Sequence, residues 1–175
     1  MNAVTLITGG ARSGKSNHAL TLTAGASTKL FIATAEPFDD EMRRRIKKHR
    51  EERGAEFRTI EAPLDPAGAI LRHGADADVA VLDCLTVWLG NLMHRYGETA
   101  DAYPEVNDFL SCIATPPCPI IIVSNELGMG IVPEHPMSRR FRDMAGRLNQ
   151  AVAACASNVT FMVSGIPLIV KESIK

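Results

Sequence analysis

The chain has 175 residues, of which 46% are hydrophobic and 22% charged, and its formal net charge is −1. This length suits one compact domain over residues 1–175, whose core needs no disulfide or metal to hold it together. The near-zero net charge excludes a general electrostatic attraction to nucleic acid or to an anionic membrane.

Apolar runs typical of strands alternate with helical patterns along the chain. Strands are predicted over residues 4–8, 30–33, 57–60, 79–82, 120–123 and 159–163, the last of them closing the core. Helices are predicted over residues 15–22, 39–53, 88–96, 105–113 and 138–154, with residues 97–104 connecting two of them. This alternation predicts an α/β fold, in which helices flank a mostly parallel sheet.

The cellular compartment follows from cysteine usage and from the absence of apolar spans. The four cysteines form no C-x-x-C pair and no zinc-like spacing, so we expect free thiols and a cytoplasmic location. The first residues show no signal-peptide pattern. No apolar run approaches the roughly 20 residues that cross a bilayer.

A phosphate-binding loop is the strongest motif. Residues 9–16 read Gly-Gly-Ala-Arg-Ser-Gly-Lys-Ser and fit G-x-x-x-x-G-K-[ST], between a predicted strand and a predicted helix. Glycines allow successive N–H groups to point at phosphate oxygens, and the helix adds its positive end. Lys15 would reach the β- and γ-phosphates, and Ser16 would hold Mg²⁺.

A carboxylate for the same metal ion follows the buried run at 79–82. Asp83 lies where this run ends, and ligands of open α/β sheets bind at the carboxyl ends of strands. A helix cap is the alternative role for an aspartate at this position.

The second predicted helix carries a run of cations, yet five other positions share one stripe. Phe38, Met42, Ile46, His49 and Arg53 recur at helical spacing and predict the face turned towards the protein. His49 and Arg53 would therefore point inwards, where a ligand can meet them. The spacing alone does not separate a catalytic histidine from a structural or surface one.

Further motifs follow the phosphate loop in a fixed order along nearly the whole chain. They are Ile-Ala-Thr-Ala at 32–35, Asp-Asp-Glu-Met at 39–42, Asn-Glu-Leu-Gly-Met-Gly-Ile-Val-Pro-Glu at 125–134, Phe-Arg-Asp at 141–143 and Val-Ser-Gly-Ile at 163–166. With these residues the sequence resembles the bifunctional adenosylcobinamide kinase / adenosylcobinamide-phosphate guanylyltransferases of cobalamin biosynthesis, the CobU/CobP type.

The resemblance implies a RecA-like P-loop fold and two linked transferase reactions. The first phosphorylates the aminopropanol hydroxyl of adenosylcobinamide with ATP or GTP. The second transfers GMP from GTP to that phosphate through a GMP–histidine intermediate, and yields adenosylcobinamide-GDP and pyrophosphate. The histidine of the family corresponds to His49, and Lys48 occupies the place of a neighbouring family histidine.

The resemblance also implies the site residues and the partners. Lys15 and His49 would be catalytic, and Ser16 and Asp83 would hold Mg²⁺. The residues that would contact the nucleotide are Gly9, Gly10, Ala11, Arg12, Ser13, Gly14, Lys15, Ser16, Ala33, Thr34, Ala35, Arg50, Glu51, Glu52, Arg53, Glu61 and Asp83. We expect a homotrimer that acts on adenosylcobinamide and its phosphate, without nucleic acid or a membrane span.

A difference between the two reactions predicts a motion. A P-loop ordinarily presents the γ-phosphorus to an acceptor, whereas His49 has to reach the α-phosphorus. We therefore predict that the helix of His49 moves when GTP binds. Gly128 and Gly130 suit a loop that closes over a bulky corrinoid, and they suit a structural turn equally well.

Three other functions fit parts of the sequence. A single-activity small-molecule kinase would use the same phosphate loop. A GTP-dependent switch would usually carry an N-K-x-D motif, which this sequence lacks. Nucleic-acid binding by the basic helix is disfavoured, because acidic residues flank the cations and no aromatic residues interleave with them.

Overall fold

The computed structural model describes residues 2–97 and 103–173, without the side chains of residues 45 and 52. Within these residues seven strands form one sheet. The strands are β1 (Val4–Gly9), β2 (Lys29–Ala33), β3 (Phe57–Glu61), β4 (Val79–Asp83), β5 (Ile120–Val123), β6 (Asn158–Val163) and β7 (Ile166–Lys171). Their order across the sheet is β3-β2-β4-β5-β1-β6-β7. Neighbouring strands are parallel except for the antiparallel pair of β6 and β7.

Six α-helices pack around this sheet in the same described residues. They are α1 (Lys15–Thr21), α2 (Asp40–Arg53), α3 (Pro66–His73), α4 (Leu85–Tyr96), α5 (Pro104–Ala114) and α6 (Pro136–Cys155), with a 3₁₀ turn at Gly74–Asp76. None of these helices combines the length and the apolar character that a membrane crossing requires.

Two cores lie on opposite faces of the sheet, because alternate strand residues point to opposite sides. Leu6, Leu82 and Ile122 face the larger core, which α3, α4, α5 and α6 cover. Ile7 and Val81 face the smaller core, which contains Ala19 of α1. The two-sided burial explains why the central strands read as continuous apolar runs.

The predicted α/β fold with a mostly parallel sheet is confirmed, and so are the predicted strands. The predicted helices are also present, with boundaries that differ by up to three residues. The predicted connection at 97–104 includes residues 98–102, which lie outside the described part of the chain.

Two elements were not predicted. Helix α3 follows Asp65, whose Oδ1 accepts a 2.7 Å hydrogen bond from the N–H of Gly68, and Pro66 occupies its first turn. Both residues are helix-start signals that the sequence analysis did not use. Strand β7 continues beyond the last core strand as a sheet edge, and every residue in it is exposed.

Candidate active site

Four strand ends bring the predicted nucleotide contacts to one edge of the sheet. Ala33 at the end of β2 lies beside Glu61 at the end of β3 and beside Asp83 at the end of β4. Gly9 ends β1 at the same edge, since β5 joins β1 to β4 in parallel register. Residues far apart in the sequence therefore surround one space at the carboxyl ends of the parallel strands.

The phosphate loop is held against the hairpin of β6 and β7. Gly9 has a φ of 149°, and a Cβ on it would lie 2.5 Å from the carbonyl oxygen of Met162. Gly14 has a φ of 93°, and a Cβ there would lie 3.2 Å from Cα of Gly165. The N–H of Gly165 donates a 3.0 Å hydrogen bond to the carbonyl of Ser13. Both glycines are thus required by close backbone approach as well as by conformation.

The outer part of the loop is open to solvent. Gly10, Ala11 and Arg12 are exposed, and Arg12 has a φ of 56°, which is a left-handed conformation. This backbone shape, together with the first turn of α1, is the arrangement in which a loop presents N–H groups to an anion.

Lys15 lies under the loop instead of extending into solvent. Its side chain is buried, and Nζ donates a 2.6 Å hydrogen bond to the carbonyl of Gly10 and a 3.4 Å bond to Oγ of Ser13. The ammonium group is therefore already oriented by the backbone that a phosphate would contact. A charged group that is already oriented costs little free energy of reorganisation when the ligand binds.

Ser16 and Asp83 form the oxygen pair that was predicted at Mg²⁺. Oγ of Ser16 donates a 2.7 Å hydrogen bond to Oδ2 of Asp83. One hydroxyl and one carboxylate fit Mg²⁺, which keeps several waters and takes its other ligands from nucleotide phosphates. Among the described residues, no cluster of three or more His, Cys, Asp or Glu side chains forms a protein-only metal site.

Helix α2 faces this pair with the predicted stripe. Met42, Ile46, His49 and Arg53 are half-buried, while the remaining side chains described in α2 are exposed. His49 and Arg53 line a small cleft together with Ser16 and Asp83. The stripe predicted over these four positions is therefore confirmed.

The prediction for Phe38, the remaining position of that stripe, is wrong. Its side chain is 60% exposed, and its ring meets His94 edge-on with the centroids 5.7 Å apart. The helix begins only at Asp40, with the Asp39 carboxylate accepting from the N–H of Met42. Phe38 precedes the helix, so helical spacing does not determine where its side chain points.

Arg53 is the most constrained cation at the cleft. Its Cζ lies 3.8 Å from the centroid of the Phe31 ring, and its Nε is buried with no hydrogen-bond partner among the described residues. Burial lowers the pKa of Arg53 and outweighs the opposing effect of the nearby Asp83 carboxylate. A guanidinium group that has lost water without full compensation is a suitable partner for an anionic ligand.

The other predicted contacts have different surroundings. Thr34 is buried, and its Oγ1 both donates to the carbonyl of Cys84 and accepts from its N–H, at 2.9 and 2.8 Å. Its side chain therefore ties β2 to the end of β4. Arg50 forms a 2.7 Å ion pair with Glu61 at the end of β3, and both side chains are largely exposed.

Two further residues were predicted to contact the nucleotide. One of them does not line the cleft, and the side chain of the other lies outside the described part of the chain. Glu51 is exposed and lies 4.0 Å from Lys47 on the same helix, so it is not among the residues that line the cleft. Only the backbone of Glu52 lies within the described part of the chain. Ala35 is half-buried and directly follows Thr34 in the loop that leaves β2.

A cysteine beside the site is not a nucleophile. Burial, reinforced by the negative charge of Asp83, raises the pKa of Cys84 to about 12. The thiol therefore stays protonated at neutral pH, and the thiolate is the reactive form. Among the residues that line the cleft, His49 carries an imidazole ring.

The sequence analysis missed three residues that line the cleft. They are Asn17, Leu20 and Phe31. Leu20 lies four positions after Ser16 and therefore shares its face of α1, whereas Asn17 simply adjoins Ser16 in the sequence. Phe31 precedes Ala33 by two residues in β2, and the period of a strand places both side chains on the same face.

The parallel sheet, the loop after β1 and the carboxylate at the end of β4 define a P-loop NTPase fold. The chain belongs to the cobinamide kinase / cobinamide phosphate guanyltransferase (CobU) family, whose model matches residues 5–170.

Curated relatives agree with this membership. The chain is 46% identical over 168 residues to the bifunctional adenosylcobalamin biosynthesis protein CobP of Pseudomonas aeruginosa, with 95% of this chain and 96% of the relative covered. It is 39% identical over 178 residues to the bifunctional adenosylcobalamin biosynthesis protein CobU of Escherichia coli, and equally to CobU of Salmonella typhimurium, covering 95% of this chain and 98% of each relative.

A solved structure supports the fold alone. An ATPase from the type III secretion system of pathogenic bacteria superposes with a TM-score of 0.53 at 12% sequence identity, over 91% of this chain. The chain spans half the length of that ATPase, since 50% of the latter is covered.

Proposed function

We propose that one domain of this protein carries out two reactions of cobalamin biosynthesis. It phosphorylates the aminopropanol hydroxyl of adenosylcobinamide with ATP or GTP, and then transfers GMP from GTP to the new phosphate, which yields adenosylcobinamide-GDP and pyrophosphate. The observation that carries the proposal is the cleft that His49 shares with Ser16 and Asp83. A P-loop alone serves many phosphoryl transfers, whereas a histidine opposite it adds a nucleophile.

In the kinase reaction, the loop binds the phosphates and Lys15 stabilises charge that develops on the transferred γ-phosphoryl group. Its ammonium group is held within the loop by the carbonyl of Gly10, close to the backbone that would bind the phosphates. Ser16 and Asp83 would hold Mg²⁺, which neutralises phosphate charge when it is bound. The hydroxyl oxygen of the acceptor then attacks the γ-phosphorus, and the bond to the β-phosphate breaks.

In the guanylyl reaction, an unprotonated ring nitrogen of His49 attacks the α-phosphorus of GTP. A nitrogen–phosphorus bond forms, the bond to the β-phosphate breaks, and pyrophosphate leaves from the loop. A phosphate oxygen of adenosylcobinamide phosphate then attacks the same phosphorus, so that the histidine is released. Helix α2 contacts the sheet through half-buried side chains, which is compatible with the motion that α-phosphorus attack requires.

The remaining predicted contacts extend the proposed GTP site along the sheet edge. We assign this role to Ala33, Thr34 and Ala35 through their backbone, because the side chain of Thr34 already bonds to Cys84. Arg50, Arg53 and Glu61 border the same space and would contact the ribose or the base. For Glu51 and Glu52, the proposal is limited to the helix backbone.

GTP labelled at the α-phosphate tests the covalent step. We expect label on the protein that survives alkali and is lost in acid, and that is absent from His49→Ala. Lys48→Ala is the matched control, because a lysine adduct would show the same lability at the neighbouring position. Labelling of His49→Ala at the wild-type level would refute the histidine intermediate.

A second measurement separates the alternatives. Incubation with adenosylcobinamide, ATP and GTP should give adenosylcobinamide-GDP, identified by its mass. Phosphorylated adenosylcobinamide without any protein label would instead establish a single-activity kinase. Hydrolysis of GTP that no acceptor stimulates would favour a GTP-dependent switch.

We also propose a homo-oligomer, with three copies as the family resemblance implies. Strand β7 supports it, because this sheet edge carries exposed Ile166, Leu168, Ile169 and Val170. Apolar edges of this kind are usually covered by another chain. A cytoplasmic location is proposed from the free cysteines of the described residues, three of which are buried.

A further inference from the structure

Helix α2 lies on the sheet through a narrow set of contacts. Among its described side chains none is fully buried, and the four of the stripe are only half-buried. The best-defined of these contacts is at its last residue. The guanidinium group of Arg53 lies over the ring of Phe31, with Cζ 3.8 Å from the ring centroid.

Phe31 is a rigid platform for this contact. Its side chain is 4% exposed, in a strand that is paired on both sides. Phe57 meets its ring edge-on, with the centroids 6.0 Å apart and the planes at 90°. The sheet and Phe57 thus hold the Phe31 ring independently of α2.

The contact matters because burial outweighs the favourable effect of the Asp83 and Glu61 carboxylates on the Arg53 guanidinium group. Its Nε is buried without a hydrogen-bond partner among the described residues. A cation that is desolvated over an aromatic face gains more from the ring quadrupole than an exposed one does. The stacking joins the carboxyl end of α2 to the sheet.

His49 lies one helical turn before Arg53 on the same face of α2. Phe31, His49 and Arg53 line one cleft with Ser16 and Asp83. We propose that Phe31 is a positioning residue for guanylyl transfer, because its ring holds Arg53 and thereby keeps the end of α2 that carries His49 at the cleft during the motion of the helix. The inference rests on the proposed role of His49 as the nucleophile.

The test is the single-turnover rate of protein labelling by GTP carrying an α-phosphate label. Phe31→Leu should lower the rate at saturating GTP by about tenfold, since the stacking with Arg53 is lost. The kinase rate should fall less than the labelling rate, and the KM for GTP is measured separately so that weaker binding through Arg53 is distinguished from slower transfer. Phe31→Tyr keeps the ring face and should restore labelling. Labelling of Phe31→Leu at the wild-type rate would overturn the inference.

Phe109→Leu is the matched control, because Phe109 is also buried but lies in the larger core on the opposite face of the sheet. Thermal unfolding of both variants reports the loss of packing that they share. Equal slowing of labelling by Phe109→Leu would show a general effect of core packing and would also overturn the inference. Where Phe31→Leu does not fold, Phe31→Met fills the core and takes its place.

A double-mutant cycle examines the pair directly. If Phe31 acts through Arg53, then Arg53→Met combined with Phe31→Leu should label no more slowly than the slower single variant. If the double variant slowed labelling by the product of the two single effects, Phe31 would not act through Arg53. A wild-type protein that forms no adduct at all refutes the role of His49 and this inference with it, whereas selective failure of the variants refutes the inference alone.

Discussion

Ser16 and Asp83 are 67 positions apart in the sequence, and their side chains share a 2.7 Å hydrogen bond across the gap between the phosphate loop and the end of β4. The bond shows that the hydroxyl and the carboxylate already occupy adjacent positions. A site arranged in this way needs only a small rearrangement to accept a divalent cation and a nucleotide.

Substitution of Asp83 tests this arrangement. Asp83→Asn retains an acceptor for the Ser16 hydroxyl but removes the charge, so the fold should persist while the kinase rate falls by about 100-fold or more. The concentration of Mg²⁺ that gives half-maximal rate should also rise. Steady-state kinetics at several Mg²⁺ concentrations measure both. Asp143→Asn, at an exposed position on α6, is the control, and an Asp83 variant as active as this control would contradict the assignment.

Two adjacent glycines should differ sharply in their tolerance of a methyl group. Gly9→Ala places a Cβ 2.5 Å from the Met162 carbonyl at a φ of 149°, whereas a Cβ on Gly10 would have no neighbour within 4 Å. We expect Gly9→Ala to lower the free energy of unfolding by about 2 kcal/mol or more, and Gly10→Ala to change it by less than about 1 kcal/mol. Urea denaturation measures both values. Similar losses for the two variants would mean that β6 does not confine Gly9.

Asp78 should contribute a pH-dependent part of the stability. Its carboxylate accepts from the N–H of Thr28 at 2.9 Å and of Ser27 at 2.8 Å, and the backbone bond from Thr28 is the largest cause that lowers its pKa. Since the folded-state pKa lies below the unfolded value of about 3.9, the stabilisation is complete above that pH and is lost as the pH falls through the folded-state pKa.

Asp78→Asn should therefore be less stable than wild type at neutral pH. Its free energy of unfolding should also fall less than that of wild type as the pH is lowered from about 5 to the acid limit. Denaturation curves at several pH values give the two slopes. Asp76→Asn, which removes an exposed carboxylate from the 3₁₀ turn, is the control. Parallel curves for wild type and Asp78→Asn would show that these backbone bonds do not carry the effect.

The proposed assembly should depend on strand β7. Leu168→Lys places a charge on an edge that is otherwise apolar, so we expect a lower molar mass in light scattering without loss of thermal stability in the separated chains. Leu71→Lys is the control, because Leu71 is similarly exposed on α3, at 59% against 58%. An unchanged mass for Leu168→Lys would exclude β7 as the contact.

The central strands were predictable from the sequence because both of their faces are buried, as in Ile120–Val123. The phosphate loop was predictable because its residue types form one contiguous motif between a strand and a helix. Strand β7 has no alternation of polar and apolar residues and contains Pro167, so it lacked a recognisable strand pattern. Its existence depends on pairing with β6.

The stripe of α2 was predictable from helical spacing, but its partner on the sheet was not. The stacking of Arg53 on Phe31 depends on how the helix lies across β2, which the periodicity of either element does not contain. Phe38 was assigned wrongly because the spacing was extended past the true start of the helix at Asp40. Contacts between elements therefore required the three-dimensional structure.

The bond between the Gly165 amide and the Ser13 carbonyl joins segments about 150 residues apart. The wall that shapes the nucleotide pocket is thus supplied by the opposite end of the polypeptide. During folding, the pocket can close only after nearly all of the chain has been brought together. Nucleotide binding consequently requires folding of the whole domain, and not of its amino-terminal segment alone.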